Sequence, residues 1–210
     1  QGTTGIGYGL VSFKVTREDP RRSFVERYEM LERRAREERR AAEDDYVRLA
    51  RRAVETIVRT GKLPPVPAEL PEEMAGRAGV YVTLTRDGTP RGTYGTFEPS
   101  AKSIADEITR NAAHAARNDT HVAPVTEEEL DALDITVDVL SEPELVGGAE
   151  ALDPKTYGII AESRGRKGVM LPAAPGTETA EEQLRAARKK AGIPEDAEIR
   201  IWRFTSERHA

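Results

Sequence analysis

The chain has 210 residues, 38% of them hydrophobic and 33% charged, with a net charge of −5. That length suits one good-sized domain or a domain with an appendage, and the acidic balance speaks against nonspecific nucleic-acid binding, which needs a basic face. The absence of cysteine excludes disulfides, a thiolate nucleophile, iron–sulfur ligation and cysteine-type zinc sites.

The first predicted element is a short strand over residues 6–15, where Leu10 and Ser12 alternate with Val11 and Phe13. Residues 17–45 are dense in Arg and Glu. Glu29 precedes Arg33, and Glu32 precedes Arg36, by one helical turn in the favourable order. With a thin stripe of Phe24, Tyr28 and Leu31, this stretch reads as an exposed, charged linker helix. A stronger helix follows, with Tyr46, Leu49, Ala50, Ala53 and Ile57 on one face, Asp44 and Asp45 at its start and Gly61 at its end. Pro64, Pro65, Pro67 and Pro71 then impose an extended connector.

A hairpin comes next. Val80, Val82 and Leu84 alternate with Tyr81, Thr83 and Thr85, and Arg86-Asp87-Gly88 supplies the turn. The return strand runs from Pro90 to Tyr94. A helix over about 100–117 carries Ile104, Ile108, Ala112 and Ala115 on one side. Thr126 and Glu129 have capping-box spacing at the start of a short helix. Ile135, Val137 and Val139 mark a strand, and residues 157–161 and 168–171 form a second hairpin across a basic turn, Arg164-Gly165-Arg166-Lys167. Leu184, Ala187 and Ala191 mark a helix ended by Gly192 and Pro194, and the last strand runs over 199–204. His209 falls at the predicted frayed end. Hairpins interspersed irregularly with helices point to an α+β fold with a largely antiparallel central sheet and flanking helices, preceded by the short strand and the charged helix.

No apolar run approaches the roughly 20 residues that span a bilayer, and no signal peptide is recognisable. A cytoplasmic location is the expectation. Gln1 is not an initiator Met, and a further region upstream is expected.

With the elements placed, Pro90-Arg91-Gly92-Thr93-Tyr94-Gly95-Thr96-Phe97-Glu98-Pro99 resembles the signature of the AMMECR family, whose bacterial members are called AmmeMemoRadiSam system protein A. Four further segments agree in order: residues 45–53, 152–160, 168–172, and 182–184 with 190–193. The resemblance implies a two-subdomain AMMECR-type domain over residues 42–208. The family signature usually reads Arg-Gly-Cys-Ile-Gly; here Thr93 stands at the cysteine and Tyr94 at the isoleucine. A threonine hydroxyl is a far poorer nucleophile than a thiol unless a base activates it. Asp119-Thr120-His121-Val122 also departs from the Asp-Pro-Arg-Phe-like run of relatives. The N-terminal Gly5-Ile6-Gly7-Tyr8-Gly9-Leu10-Val11 resembles the closing strand of Memo-type domains, relatives of class III extradiol ring-cleavage dioxygenases of the LigB kind. Residues 1–16 are therefore expected to be the remnant strand of an upstream Memo/LigB-like domain, with 17–41 as linker. The resemblance implies a Memo/LigB-like domain and a radical-SAM protein as partners. It implies no cofactor in this chain, any metal belonging to the upstream domain.

The candidate ligand-binding cleft is drawn from Arg91, Gly92, Thr93, Tyr94, Gly95, Thr96 and Phe97, with His114 and Tyr157. The glycines have a structural reading, a strand end with close backbone approach or positive φ. The functional reading has the Arg91 guanidinium taking an anionic group in bidentate fashion. The spacing of the segment is neither a P-loop nor a dinucleotide fingerprint. His114 and His121 lie seven apart in sequence, which is not the i,i+4 zinc pattern, so no metal site is expected; an orienting or general-base role is open to either. Tyr157 reads as packing or as a site residue, and Trp202 as a sheet anchor. The leading expectation is an accessory domain binding a small molecule or peptide. An enzyme without a cysteine nucleophile, linked to extradiol dioxygenase-type proteins, and an RNA-binding or RNA-modifying module are the alternatives.

Overall fold

The computed structural model describes residues 12, 14, 23–119 and 122–210. The predicted strand over 6–15, apart from Ser12 and Lys14, and the segment resembling Memo-type domains lie outside the described residues, as does His121. The chain divides into two compact units, residues 1–41 and 42–210. The first contributes helix α1 (Phe24–Ala42), which buries no side chain and leaves Phe24, Val25, Tyr28, Met30 and Leu31 exposed.

In the second unit the chain runs through α2 (Asp45–Thr60), β1 (Val80–Arg86), β2 (Thr89–Thr96), α3 (Ile104–Arg117), β3 (Leu133–Leu140), β4 (Glu144–Val146), β5 (Gly158–Ser163), β6 (Arg166–Met170), α4 (Ala180–Ala191), β7 (Arg200–Phe204) and β8 (Ser206–His209). The class is α+β, as the alternation of hairpins and helices implied. All strand pairs are antiparallel, in two four-stranded sheets ordered β2-β1-β3-β8 and β4-β7-β5-β6. Pro143 sits between β3 and β4; lacking an N–H, it cannot carry one ladder across both sheets.

In the first sheet Val80, Val82, Leu84, Ile135 and Val137 turn inward against Val47, Ala50, Ala53 and Val54 of α2 and Ile108, Ala112 and Ala115 of α3. Each fully buried aliphatic side chain of this kind contributes about 1.5–3 kcal/mol relative to exposure. Asp44 caps α2, its Oδ1 accepting from the N–H groups of Tyr46 and Val47 at 3.0 Å. Gly61 closes α2 at φ 71°, a left-handed conformation that favours glycine. The β1–β2 turn carries positive φ at both Asp87 (51°) and Gly88 (73°), the pattern of a type I′ hairpin turn.

Helix α3 begins at Ile104 behind the Ser103 cap, later than the predicted start near 100, because Ser100 and Ala101 direct their N–H groups to Glu107. In the second sheet Ile159 and Ala161 pack on Ala187 of α4. A third cluster lies where the sheets meet: Leu140, Ile160, Val169 and Phe204, flanked by Tyr81, Phe97, Leu171 and Trp202. The C-terminus corrects the expectation of a frayed end. Strand β8 pairs with β3, His209 opposite Val137, and the His209 ring stacks on Tyr46 at 3.8 Å with its Nδ1 2.6 Å from Asp44 Oδ2.

Candidate functional site

Residues 91–96 lie in β2, an edge strand of the first sheet, with Phe97 just beyond it, and most of the segment serves the fold. Arg91 lies against Glu129: Nε donates to Oε1 at 2.7 Å and Nη2 to Oε2 at 2.8 Å. Its Nη1 and Nη2 also donate to the carbonyls of Ala123 and Pro124 at 2.8 and 3.0 Å. The guanidinium hydrogen bonds hold the Glu129 carboxyl down at about 2, and Glu129 in turn raises the pKa of Arg91. Every nitrogen of the fork therefore has an internal partner, and Arg91 fastens the 123–129 segment to β2. The capping-box spacing singled out Glu129, which does accept the Thr126 N–H at 2.9 Å, but nothing in that spacing pointed to Arg91, 38 residues away.

The glycines are required by close approach. A Cβ on Gly92 would run into the Ala115 carbonyl oxygen of α3, and one on Gly95 into the Tyr81 ring. Thr96 Oγ1 donates to Glu107 Oε1 at 2.6 Å and accepts from Asn111 Nδ2 at 3.3 Å. Glu107 is almost wholly buried and also accepts from Ser100 Oγ at 2.8 Å. Burial works against its carboxylate, but the bonds from Thr96, Ser100 and Ala101 outweigh that and lower its pKa. Phe97 joins the cluster between the sheets, with Lys167 Nζ 4.9 Å from its ring centroid.

Two residues of the segment remain available. Tyr94 points to the α3 side, is 37% exposed and stacks on His114 at 4.6 Å. Thr93 points the other way. Its N–H donates to Asp119 Oδ2 at 2.9 Å, and it pairs with Thr83 of β1, which pairs with Thr136 of β3. Paired residues of a sheet share a face. The hydroxyls of Thr93, Thr83 and Thr136 thus form one cross-strand row on the face opposite the helices. The next row on that face holds Gly95, Tyr81 and Asp138. Burial raises the Tyr81 phenol to about 12, so it stays neutral. Asp138 is fully buried, accepting from Arg208 Nε at 2.9 Å and Ser206 Oγ at 3.2 Å.

Of the predicted site residues, the structure brings together residues 91–97 and His114. Tyr157 lies in the second sheet's half, where Arg203 sits over its ring at 4.5 Å and its carbonyl accepts from Gln183 at 2.9 Å. The sequence did not point to Thr83, Thr136 or Glu107 as site residues, and marked Asp119 only as part of a run that departs from relatives. Alternation of Thr83 with Val82 and Leu84 placed it on the non-core face, but cross-strand register, which puts it beside Thr93 and Thr136, is a tertiary property. Among the described residues no group of three or more His, Asp or Glu is placed to hold a metal, and no helix is long and apolar enough to cross a membrane. Two surface grooves lie elsewhere: about 950 Å³ beside the tip of the β5–β6 hairpin, and about 340 Å³ along α2. The candidate site is thus a patterned sheet face rather than an enclosed pocket.

The AMMECR1 family model matches residues 47–209. A protein of Thermotoga maritima is 46% identical over 170 residues, covering 80% of this chain and 98% of that relative. A protein of Clostridium acetobutylicum is 37% identical over 211 residues, covering all of this chain; the chain spans only 44% of that relative's length. The crystal structure of an uncharacterized protein from Pyrococcus horikoshii superposes with a TM-score of 0.71 at 32% identity, covering 78% of this chain and 88% of that one.

Proposed function

The chain belongs to the AMMECR1 family, and we propose that this domain is a binding module that takes a small molecule or peptide on the sheet face bearing Thr93. One observation carries the reading. Arg91, Gly92, Gly95 and Thr96 are engaged inside the fold, whereas Thr93 contributes its hydroxyl to a row with Thr83 and Thr136. Three half-buried hydroxyls in line offer donors and acceptors at strand spacing, about 4.8 Å apart, to a polar ligand or an extended peptide. Tyr94 and His114 stack on the opposite face of the same strand and take no part in this row. Arg91, with its donors satisfied internally, is a support of the site and not a ligand contact. Untargeted mass spectrometry of small molecules and peptides retained by the purified chain tests the reading. A species retained by the wild type and lost from Thr93→Val supports it; identical retention by both, or no retained species in either, removes it.

We infer a second reading, for the longer protein, from the Clostridium relative matched along the whole chain at 44% of its own length. In this reading the domain works beside a Memo/LigB-like domain encoded upstream and a radical-SAM partner, and any catalytic metal belongs to that upstream part. The gene decides it: an open reading frame that starts within a few codons of Gln1 ends this reading.

A further inference from the structure

Residues 43–140 with β8 form one lobe of the second unit, and residues 144–204 the other. Only two stretches of chain pass between them, β3 to β4 and β7 to β8, and they cross side by side. At the crossing Ser141 N donates to the Thr205 carbonyl at 2.9 Å, and Thr205 N donates to Ser141 Oγ at 3.0 Å. Each lobe has its own core, one between the first sheet and helices α2 and α3, the other between β5 and α4. Among the described residues, no strand of one lobe is paired in a ladder with a strand of the other. Between them lies the cluster of Leu140, Ile160, Val169 and Phe204, flanked by Tyr81, Phe97, Leu171 and Trp202; Leu140 and Phe204 flank the crossing.

Away from the crossing, the side-chain hydrogen bonds among the described residues join the lobes at one place. Lys167 Nζ of β6 donates to Glu98 Oε1 at 2.8 Å, above the Phe97 ring. Residues 97 and 98 follow β2, which lies two strands from β3, roughly 10 Å to the side of the crossing at the usual strand spacing. The Glu98 side chain is 68% exposed, so the contact is open to screening by salt. Two adjacent chain crossings, a core within each lobe, one shared apolar cluster beside the crossing and a single ion pair to one side are the parts of a hinge with a latch.

We propose that the lobes rotate about the crossing of Ser141 and Thr205, that Lys167 with Glu98 and Phe97 is the latch, and that this rotation governs access to the Thr93 face. The last clause rests on the binding reading above. The Thr93 row is the neighbour of the Tyr81 row, and Tyr81 packs into the cluster between the lobes. Rotation that lifts β6 from Phe97 widens the space over Tyr81 and the adjoining threonines.

The chain has no cysteine of its own, so Arg110→Cys on α3 and Lys189→Cys on α4, both exposed, take spin labels at two defined points, one per lobe. Pulsed electron double resonance then reads the distance between lobes without any ligand. The expected result is a longer, second distance population in Lys167→Glu, growing in the unsubstituted latch as salt is raised, and reverting in the charge swap Lys167→Glu with Glu98→Lys. Far-ultraviolet circular dichroism identifies any variant that fails to fold, and the salt series on the native latch needs no substitution there. One unchanged distance distribution in every variant and at every salt concentration overturns the hinge. Because no ligand enters this measurement, its failure leaves the binding reading standing, and failure of ligand capture leaves the hinge standing.

Discussion

Arg91 grips Glu129 through two parallel N–H···O bonds, Nε to Oε1 at 2.7 Å and Nη2 to Oε2 at 2.8 Å. Both side chains are only about one-sixth exposed, 16% and 15%. A bidentate, charge-assisted pair of this kind is worth more than a loose surface ion pair. Removing one partner leaves the other charge half-buried and unpaired. Arg91→Ala is expected to destabilise the domain by about 2–3 kcal/mol and to loosen the 123–129 segment. Chemical denaturation of the variant checks the first, and amide exchange at Val125 and Leu130 checks the second.

The same pair makes an acid-side prediction. Glu129 is held down to about 2 against an ordinary value of 4.5. A carboxyl whose folded pKa lies below its unfolded one contributes stability above the unfolded value and loses it as pH falls through the folded value. The stabilisation from Glu129 is therefore complete above about pH 5 and declines between about 4.5 and 2. Denaturation of wild type and Arg91→Ala from pH 7 to pH 3 should show the gap between them shrinking below pH 4.5. A constant gap would mean that Glu129 does not titrate with this pair.

Gly92→Ala and Gly95→Ala are each expected to cost about 2–3 kcal/mol, because the added methyl meets the Ala115 carbonyl in one case and the Tyr81 ring in the other. Gly147→Ala, where a Cβ meets nothing within 4 Å, serves as the neutral control. Thermal melts of the three variants separate close approach from a general penalty for replacing glycine.

At the C-terminus, His209→Ala removes both the stack on Tyr46 and the bond to Asp44. A loss of about 2 kcal/mol is expected. A double-mutant cycle with Asp44→Ala should return a coupling of about 1 kcal/mol between the two side chains. Additive effects would mean that the bond to Asp44 contributes nothing, leaving β8 held by its ladder to β3, the stack on Tyr46 and the bonds of Ser206 and Arg208 to Asp138.

The sequence carried the elements with strong internal pattern. The apolar face of α2, the alternation of β1 and β3, the Asp87-Gly88 turn and the Gly192 stop are local signals, and each reappears in the structure at or near its predicted place. Strand β8 was not visible because Ser206, Glu207, Arg208 and His209 contain no apolar alternation; what makes them a strand is the free edge of β3. At the candidate site the Arg-Gly-x-x-Gly-Thr frame could be read, but the division of labour inside it could not. Whether Arg91 faces a ligand or Glu129, and whether Thr93 stands alone or in a row with Thr83 and Thr136, depends on register and on contacts tens of residues away.

The central claim is that Thr93 and its neighbours bind a ligand while Arg91 supports the fold. The most direct test is a titration of a species captured by the wild-type chain against Thr93→Val and Thr136→Val, with melting temperatures measured alongside. Each lost hydroxyl bond is worth about 1 kcal/mol. The expected result is affinity weakened roughly five- to tenfold per substitution, with melting temperatures close to that of the wild type. Unchanged affinity in both valine variants would contradict the claim and remove the ligand from this face.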